Sequence, residues 1–419
     1  MLDIKFIREN ADLVKKNNQN RGVDIDVDRL LELDVMRRER ILQIDQLRAL
    51  RNKKSKTKPL DEEILKMKEV GRDIDLAEKE LAEVEAEYKI LLEKTPNLTH
   101  PESPIGGEED FKVLEESGKI PKFDFKPKDH EQLMLALDQI DFERGAKVAG
   151  AKFYFLKNDL VRLNRALVNY GIETATKRGY MLMETPDLAK NQILEGIGFS
   201  PRGPETQVYS IENTDLSLIG TAEITVGGYH SNEVLDLSKG PVKYVALSHC
   251  FRTEGGAYGR VSKGLYRVHQ FTKLEMFVYC KPQESEKMHK ELLAIEREIC
   301  EGLQIPFRVI DIASADLGGP AYRKFDIEAW MTMVGENGGY GEITSTSNCT
   351  DYQARRLNIK YRKDDGSAEF VHTLNGTAIA LTRLPIAIFE NYQQKDGSIK
   401  VPKVLQRSLG FKEIRNDRR

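Results

Sequence analysis

Apolar residues recur at helical spacing through the first quarter of the chain. Met67, Ile74, Leu81 and Tyr88 return every seven residues, with Ile64 three before the first. That spacing predicts a seam along a helix over about 61–94. Upstream, Val35, Leu42 and Ala49 also fall at sevens, and Leu30, Leu33, Ile41, Ile44 and Leu47 fill a broader stripe, which predicts a helix over about 28–51. The polar run RNKKSKTKP, ending on Pro59, separates the two. Long helices joined by a short connection fold back on each other, giving an antiparallel hairpin roughly 35–50 Å long at about 1.5 Å per residue.

Near residue 100 the pattern changes. Residues 95–110 hold three prolines and two glycines among acids, a linker by composition. Farther on, strand-like runs (VKYVAL, LEMFVYC, PFRVIDIA, KFDIEAWM) alternate with helical stretches over 160–178 and 287–300. Strands joined by hairpin-length gaps, with helices clustered elsewhere, predict an α+β fold on a mainly antiparallel sheet flanked by helices. The expected division is a helical-arm domain over 1–100, a linker over 101–118 and a second domain over 119–419.

Charge adds a feature that periodicity does not. The 419 residues carry 64 Lys+Arg against 67 Asp+Glu, a net charge of -3, so a uniformly basic nucleic-acid coat is excluded and any such contact needs a local patch. The hairpin is polarised: residues 37–58 carry nine basic side chains against Glu39 and Asp45, and residues 61–93 carry twelve acidic against five basic. Complementary helices joined by ion pairs account for much of this. They do not account for Arg51, Lys53, Lys54, Lys56 and Lys58 crowded at the tip, where like charges repel unless an anion arrives.

Four scattered cysteines without a CxxC pair, and seven dispersed histidines, offer neither a disulfide framework nor zinc-ligand spacing. The opening MLDIKFIREN lacks the apolar run of a secretory signal, and no stretch approaches the roughly 20 apolar residues of a membrane span. The expectation is a soluble, cytoplasmic protein without membrane attachment.

Three stretches carry candidate chemistry. FRTEGG (251–256) places Arg252 and Glu254 two apart, on one face of an extended strand, and RVHQF brings back Arg267 and Phe271 after a glycine-bearing loop. An arginine on each arm of a hairpin can grip a phosphate from two sides, and an aromatic can cover a planar base. A surface ion pair is the ordinary reading of one Arg-x-Glu, but Lys273 and Glu275 on the same apolar hairpin make decoration a poor account of the whole. GEITSTSNCTDYQARR (341–356) offers Glu342, Thr344, Ser345 and Ser347, hard oxygens of the kind a phosphate-bound Mg²⁺ takes. In NGTAIALTRLPIAIFENYQ (375–393) a glycine-containing turn leads into an apolar helix that contains Arg383, a cation that is costly to bury without an anion.

In this order the stretches resemble the three signature motifs of class II aminoacyl-tRNA synthetases, and the full chain resembles seryl-tRNA synthetases of bacterial type. DFERGAKVAGAKFYFL, LIGTAEI, SHCFRTEGG, GLYRVHQFTKLEMF, FDIEAWM, SNCTDYQARRLNI and NGTAIAL each carry the likeness. The resemblance implies that 119–419 is a class II catalytic domain and that the protein is an ATP-dependent ligase. Serine would be activated to seryl-adenylate and passed to the 3′ end of serine tRNA; many relatives also charge selenocysteine tRNA. It implies Pro186 at a homodimer interface. Thr221, Ala222 and Glu223 would line the serine pocket, with Glu275, Asn375 and Thr377 reading the amino acid. ATP would be held by Arg252, Thr253, Glu254, Arg267, Phe271, Glu342, Ile343, Thr344, Ser345 and Arg383, with Arg252, Glu254 and Arg383 closest to catalysis and Glu342 and Ser345 as Mg²⁺ ligands. Arg51, Lys53, Lys54 and Lys56 would meet the long variable arm of the tRNA. The sequence departs from the commonest family pattern at Gly220, at Ser248-His249 and in the loop EGGAYGRVS, which bears on contacts to the acceptor end.

Two other readings remain at this point. A paralogue that loads a carrier protein typically lacks the arm, which this chain has, and a non-catalytic RNA-binding relative would not need all the motif charges, which are present.

Overall fold

The computed structural model describes residues 1–54, 61–199, 207–254 and 263–416. The chain divides into two compact units, Met1–Leu98 and Thr99–Arg419.

The first unit consists of short helices Ile4–Glu9 and Ala11–Asn20 and two long ones, Val27–Lys54 and Asp61–Lys94. Leu2, Ile7, Val14, Val27, Leu30 and Leu92 form its apolar base. Along the arm the long helices are cross-linked by Arg29–Glu87, Arg37–Glu85, Arg40–Glu80 and Arg48–Glu78 ion pairs at 2.7–2.9 Å. These are the complementary charges read from the sequence, and their staggered numbering is that of an antiparallel pair.

The heptad reading needs amendment on both helices. Ile74 is buried, but the deeper row of the second helix is Val70, Ala77 and Val84, three residues on from the seam at 67, 74 and 81. On the first helix the buried row is Leu30, Leu33 and Ile44, whereas Val35 and Leu42 are 43% and 59% exposed. Val35 lies two residues past Leu33, about 200° round the helix, so a correct period had been attached to the outward face. Arg51 is exposed and Lys53 and Lys54 end the helix backbone, while Lys56 lies outside the described residues.

The second unit is built on an eight-stranded sheet: β1 Lys112–Ser117, β2 Met181–Glu184, β3 Val242–Phe251, β4 Gln270–Cys280, β5 Phe307–Asp311, β6 Arg323–Met331, β7 Gly339–Asn348 and β8 His372–Ala380. The spatial order is β1-β5-β6-β7-β8-β4-β3-β2, antiparallel throughout except for the parallel β2–β3 pair. This is the expected α+β architecture. Helices Asn158–Thr176 and Ser285–Leu303 cover one face, burying Leu163, Leu167, Leu292, Ile295 and Ile299 against Leu274, Met276 and Val278 of β4. The strand alternates strictly: Phe277 and Tyr279 join a second apolar cluster with Ile197, Ile224 and Leu357 on the opposite face.

Two sequence expectations fail here. The 101–118 stretch is not all linker, because Lys112–Ser117 forms β1 and pairs with β5. Its charged residues disguised it, as they do for edge strands whose outer side faces water. The Asn375-Gly376-Thr377 triplet is not a turn but the middle of β8, with a register shift against β4 between Thr377 and Ile379. Glycine answers a close approach there: a Cβ on Gly376 would lie 2.8 Å from Glu296 Oε1 and 3.1 Å from Thr346 Oγ1, crowding both side chains.

A similar close approach seats the Asn158–Thr176 helix on the sheet. A Cβ on Gly171 would sit 2.6 Å from Ile379 Cγ1 and 2.9 Å from Leu274 Cδ2. Gly171→Ala is therefore expected to cost about 1–3 kcal/mol by overpacking, despite the better helix propensity of alanine. Urea unfolding measures this; a variant as stable as the parent would show that the helix can shift off the sheet freely.

Candidate active site

The helix-free stretch of the sheet carries alternating polar residues on the face that bears Phe277 and Tyr279. On β4 these are Phe271, Lys273 and Glu275, two residues apart along the strand. β3 and β4 pair to the end of the hairpin, Cys250 opposite Phe271 and Phe251 opposite Gln270, and the Arg252 N–H continues the ladder to the His269 carbonyl at 2.9 Å. Arg252 and Glu254 thus lie just beyond the strand rather than within it. The Arg252 guanidinium stands 5.3 Å from the centre of the Phe271 ring and donates through Nε to the Gly220 carbonyl at 3.3 Å. Glu254 adopts φ +51°, a left-handed conformation that a non-glycine residue holds only under constraint, and its carboxylate lies 3.5 Å from Arg267 Nη1.

From the other side come β6, β7 and the helix Arg383–Tyr392. Arg383, the first residue of that helix, contacts Glu342 Oε1 at 2.7 Å and stacks over Tyr266 at 5.0 Å, while the Tyr266 hydroxyl donates to the Glu342 carbonyl at 3.2 Å. Burial alone would raise the Glu342 carboxyl, but Arg383 and Lys324 outweigh it and hold it down to about 2. The carboxylate is therefore charged, and it remains 39% exposed to the cavity.

These groups enclose two adjoining cavities. One, of about 340 Å³, is lined by Arg252, Glu254, Arg267, Phe271, Glu342, Ile343, Thr344, Ser345, Thr377 and Arg383. The other, of about 410 Å³, is lined by Thr221, Glu223, Glu275, Asn375 and Cys349. Arg252, Lys273, Lys324 and Ser345 border both. Side chains more than a hundred residues apart in sequence therefore converge on one hollow.

Thr221 caps the helix Ala222–Gly228, its hydroxyl accepting from the Glu223 N–H at 3.2 Å, and both residues line the second cavity. Glu223 Oε1 accepts from Gln353 Nε2 at 2.8 Å and from Asn375 Nδ2 at 2.9 Å. Burial, then the nearby Glu275 carboxylate, push the Glu223 carboxyl up to about 7. Glu275 is ion-paired with Lys273 and is 2% exposed. Below it, on the helix Ser285–Leu303, Glu296 accepts from the Thr344 hydroxyl at 3.0 Å and is raised well above the carboxylate range, chiefly by burial.

Of the residues singled out from the sequence, Ala222 is buried behind the cavity wall and Thr253 lies beyond it, its N–H bonded to the Gln207 carbonyl at 3.1 Å. Pro186 lines a separate, more apolar cavity of about 270 Å³ with Met183, Ile193 and Tyr229. Sequence reasoning missed Lys324, Gln353 and Glu296. A lysine inside the apolar run KFDIEAWM was the available signal for the first. Nothing in the pattern marked the other two, which act only by meeting distant residues.

Among the described residues no group of three or more His, Cys, Asp or Glu is placed to hold a metal ion by itself. Glu342 and Ser345 nevertheless offer two hard oxygens on the wall of the polar cavity, a donor set suited to a Mg²⁺ that takes its other ligands from phosphate and water. No helix among the described residues is long and apolar enough to cross a membrane.

Comparison with known proteins agrees with this geometry. Residues 1–99 match the seryl-tRNA synthetase N-terminal domain and residues 207–392 the class II core domain of the G, H, P, S and T tRNA synthetases. The chain is 54% identical to the serine–tRNA ligase of Treponema denticola, over 99% of this chain and 100% of the relative. It is 52% identical to that of Dictyoglomus turgidum, over 99% of each. Among solved structures it resembles seryl-tRNA synthetase from Pyrococcus horikoshii complexed with ATP, with a TM-score of 0.89, 39% identity and 99% coverage of both chains. The cytoplasmic serine–tRNA ligase from Naegleria fowleri in complex with AMP gives a TM-score of 0.85 and 34% identity, again over 99% of both. Fold, site and likeness along the whole length agree that the chain belongs to the seryl-tRNA synthetase family of class II aminoacyl-tRNA synthetases.

Proposed function

We propose that this protein activates L-serine with ATP and transfers the seryl group to the 3′ end of serine tRNA. The observation that carries this reading is the pair of adjoining cavities, one rich in cations and the other bearing the Glu223 and Glu275 carboxyls and the Asn375 amide, with Arg252 and Lys273 on their common border. A triphosphate suits the first and a small zwitterion the second.

In the first step a serine carboxylate oxygen attacks the α-phosphorus, the bond to the β-phosphate oxygen breaks, and pyrophosphate leaves with its electron pair. Such displacement depends on positioning and charge neutralisation more than on covalent help from the protein. Arg252 would meet both the α-phosphate and the serine carboxylate, and Arg267 and Arg383 the outer phosphates, a reading supported by their shared cavity wall. Phe271 supplies a ring face for the adenine and Glu254 an acceptor for its amino group. Glu342 and Ser345 are the residues that would hold Mg²⁺, which neutralises phosphate charge when bound. In the second step the terminal ribose hydroxyl of the tRNA attacks the mixed anhydride and AMP leaves. The seryl-specific pocket would use Glu223 and Glu275 for the ammonium and hydroxyl of serine, with Asn375 and Thr377 beside them. A site built to hydrogen-bond that hydroxyl strands buried polar groups when alanine enters.

The protein would act in the cytoplasm as a homodimer, with Pro186 at the subunit contact. The basic tip of the arm would hold the long variable arm of the tRNA by shape and phosphate contact rather than by base sequence.

Serine-dependent ATP–pyrophosphate exchange, followed by charging of tRNA, tests the reading. Arg252→Ala should lower exchange by about two to three orders of magnitude, and near-normal exchange in that variant would remove the assigned role. The serine KM should fall as pH rises from 6 to 8. Glu223 holds a proton below about 7 and must release it to pair with the serine ammonium, so protonation competes with binding by up to about tenfold per unit below that point. Glu223→Gln should flatten the profile; a serine KM that does not change with pH in the parent counts against the pairing. Replacing Lys53, Lys54 and Lys56 by alanine should weaken charging at least several-fold, with a shallower salt dependence, and leave exchange intact. Equal loss of both activities would break the link between arm and tRNA.

A further inference from the structure

Tyr266 and Arg267 are held in place by groups that lie outside either cavity. The helix His130–Ala136 begins with a histidine that is completely buried. Leu265 N–H donates to His130 Nε2 at 3.2 Å, so that nitrogen carries no proton and the ring proton sits on Nδ1. Nδ1 donates in turn to Glu390 Oε1 at 2.8 Å, which also accepts from the His130 backbone N–H at 2.9 Å. The second oxygen of Glu390 accepts from the Thr332 hydroxyl at 3.0 Å and the Met333 N–H at 3.1 Å. Glu390 is itself fully buried, and four donors from two segments, at 130 and 332–333, saturate it. The neighbouring residue adds a second tie: Asp129 Oδ2 accepts from Lys263 Nζ at 2.7 Å.

We propose that His130 is a positioning residue for nucleotide binding: its Nε2, oriented by Glu390, fixes the Leu265 backbone and so places Tyr266 and Arg267 on the cavity wall. The helix Arg383–Tyr392 then holds this segment at two points. Arg383 at its start lies over the Tyr266 ring, and Glu390, two turns later, steers the imidazole that grips Leu265. Gly264 fits the same arrangement, with φ +55° and a position where a Cβ would come 2.3 Å from His130 Nε2. Only glycine allows the imidazole to reach the amide. The role is indirect, since His130 borders neither cavity.

This inference rests on the nucleotide reading of the polar cavity, and the test separates the two. Two amides divide the functions of the imidazole. In His130→Asn the short side chain can still donate to Glu390 but leaves the Leu265 N–H without an acceptor. In His130→Gln the longer side chain sets an oxygen near the former Nε2. Serine-dependent ATP–pyrophosphate exchange by the full-length protein gives KM for ATP and for serine separately, with the thermal midpoint measured alongside. His130→Asn should raise the ATP KM about tenfold with the serine KM within about twofold, and His130→Gln should recover most of that loss. An ATP KM that stays at the parent value, equal losses in the two variants, or a matching rise in serine KM overturns the role. If neither variant folds, Gly264→Ala decides: it keeps the His–Glu pair and should raise the ATP KM in the same selective way, and an unmoved ATP KM overturns the proposal. A parent protein without serine-dependent exchange would instead remove the nucleotide reading, whatever the variants do.

Discussion

Arg383 against Glu342, Lys273 against Glu275, Lys324 against Asp326 and Arg267 against Glu254 put four cations on one sheet face, each with its own carboxylate. Without those partners, like charges crowded into a partly desolvated hollow would repel one another and the sheet face would be costly to form. With them the cations are positioned before any polyanion arrives. Asp326 illustrates the tension: burial pushes its carboxyl up while Lys324, at 3.5 Å, pulls it back down. The site is assembled at some expense in stability, and the apolar layers on both faces of the sheet supply what offsets it.

Those layers also decide which residues the site can use. Strict alternation along β4 sends Leu274, Met276 and Val278 into the helix-covered core and leaves Phe271, Lys273 and Glu275 on the working face. On β8 the same rule places Asn375 and Thr377 toward the cavities, with Gly376 between them because Glu296 approaches from beneath. A one-residue slip in either strand would exchange the two sets. The register shift between Thr377 and Ile379 brings Thr377 opposite Glu275 and Ile379 opposite Leu274.

Much of this was legible in the sequence, for identifiable reasons. The arm was readable because helical periodicity over some thirty residues is a strong local signal, although the period did not say which face was inward: Val35 and Leu42 face water. Phe271, Glu275 and Glu342 stood out as aromatic or charged residues in apolar strands, Arg252, Glu254 and Arg267 as charges where the hairpin strands end, and Arg383 as a cation in an apolar helical run. What was not legible depended on tertiary proximity. Gln353 matters because it reaches Glu223, and Glu296 because Thr344 and Gly376 lie above it; neither carries any local mark. The first sheet strand was hidden by its own charge, and the NGT triplet looked like a turn because glycine usually signals one, whereas here it answers a close approach.

The ion pairs of the two units differ in their access to water. Those on the arm join half-exposed side chains, such as Arg48 and Glu78, while Lys273 and Glu275 are almost wholly covered. Mobile counter-ions damp the first kind within a Debye length of about 8 Å at physiological ionic strength and barely enter the second. Rising salt therefore loosens the arm's cross-links well before it disturbs the sheet site. In that sense the arm's cross-links answer to their surroundings while those of the sheet site are insulated from them.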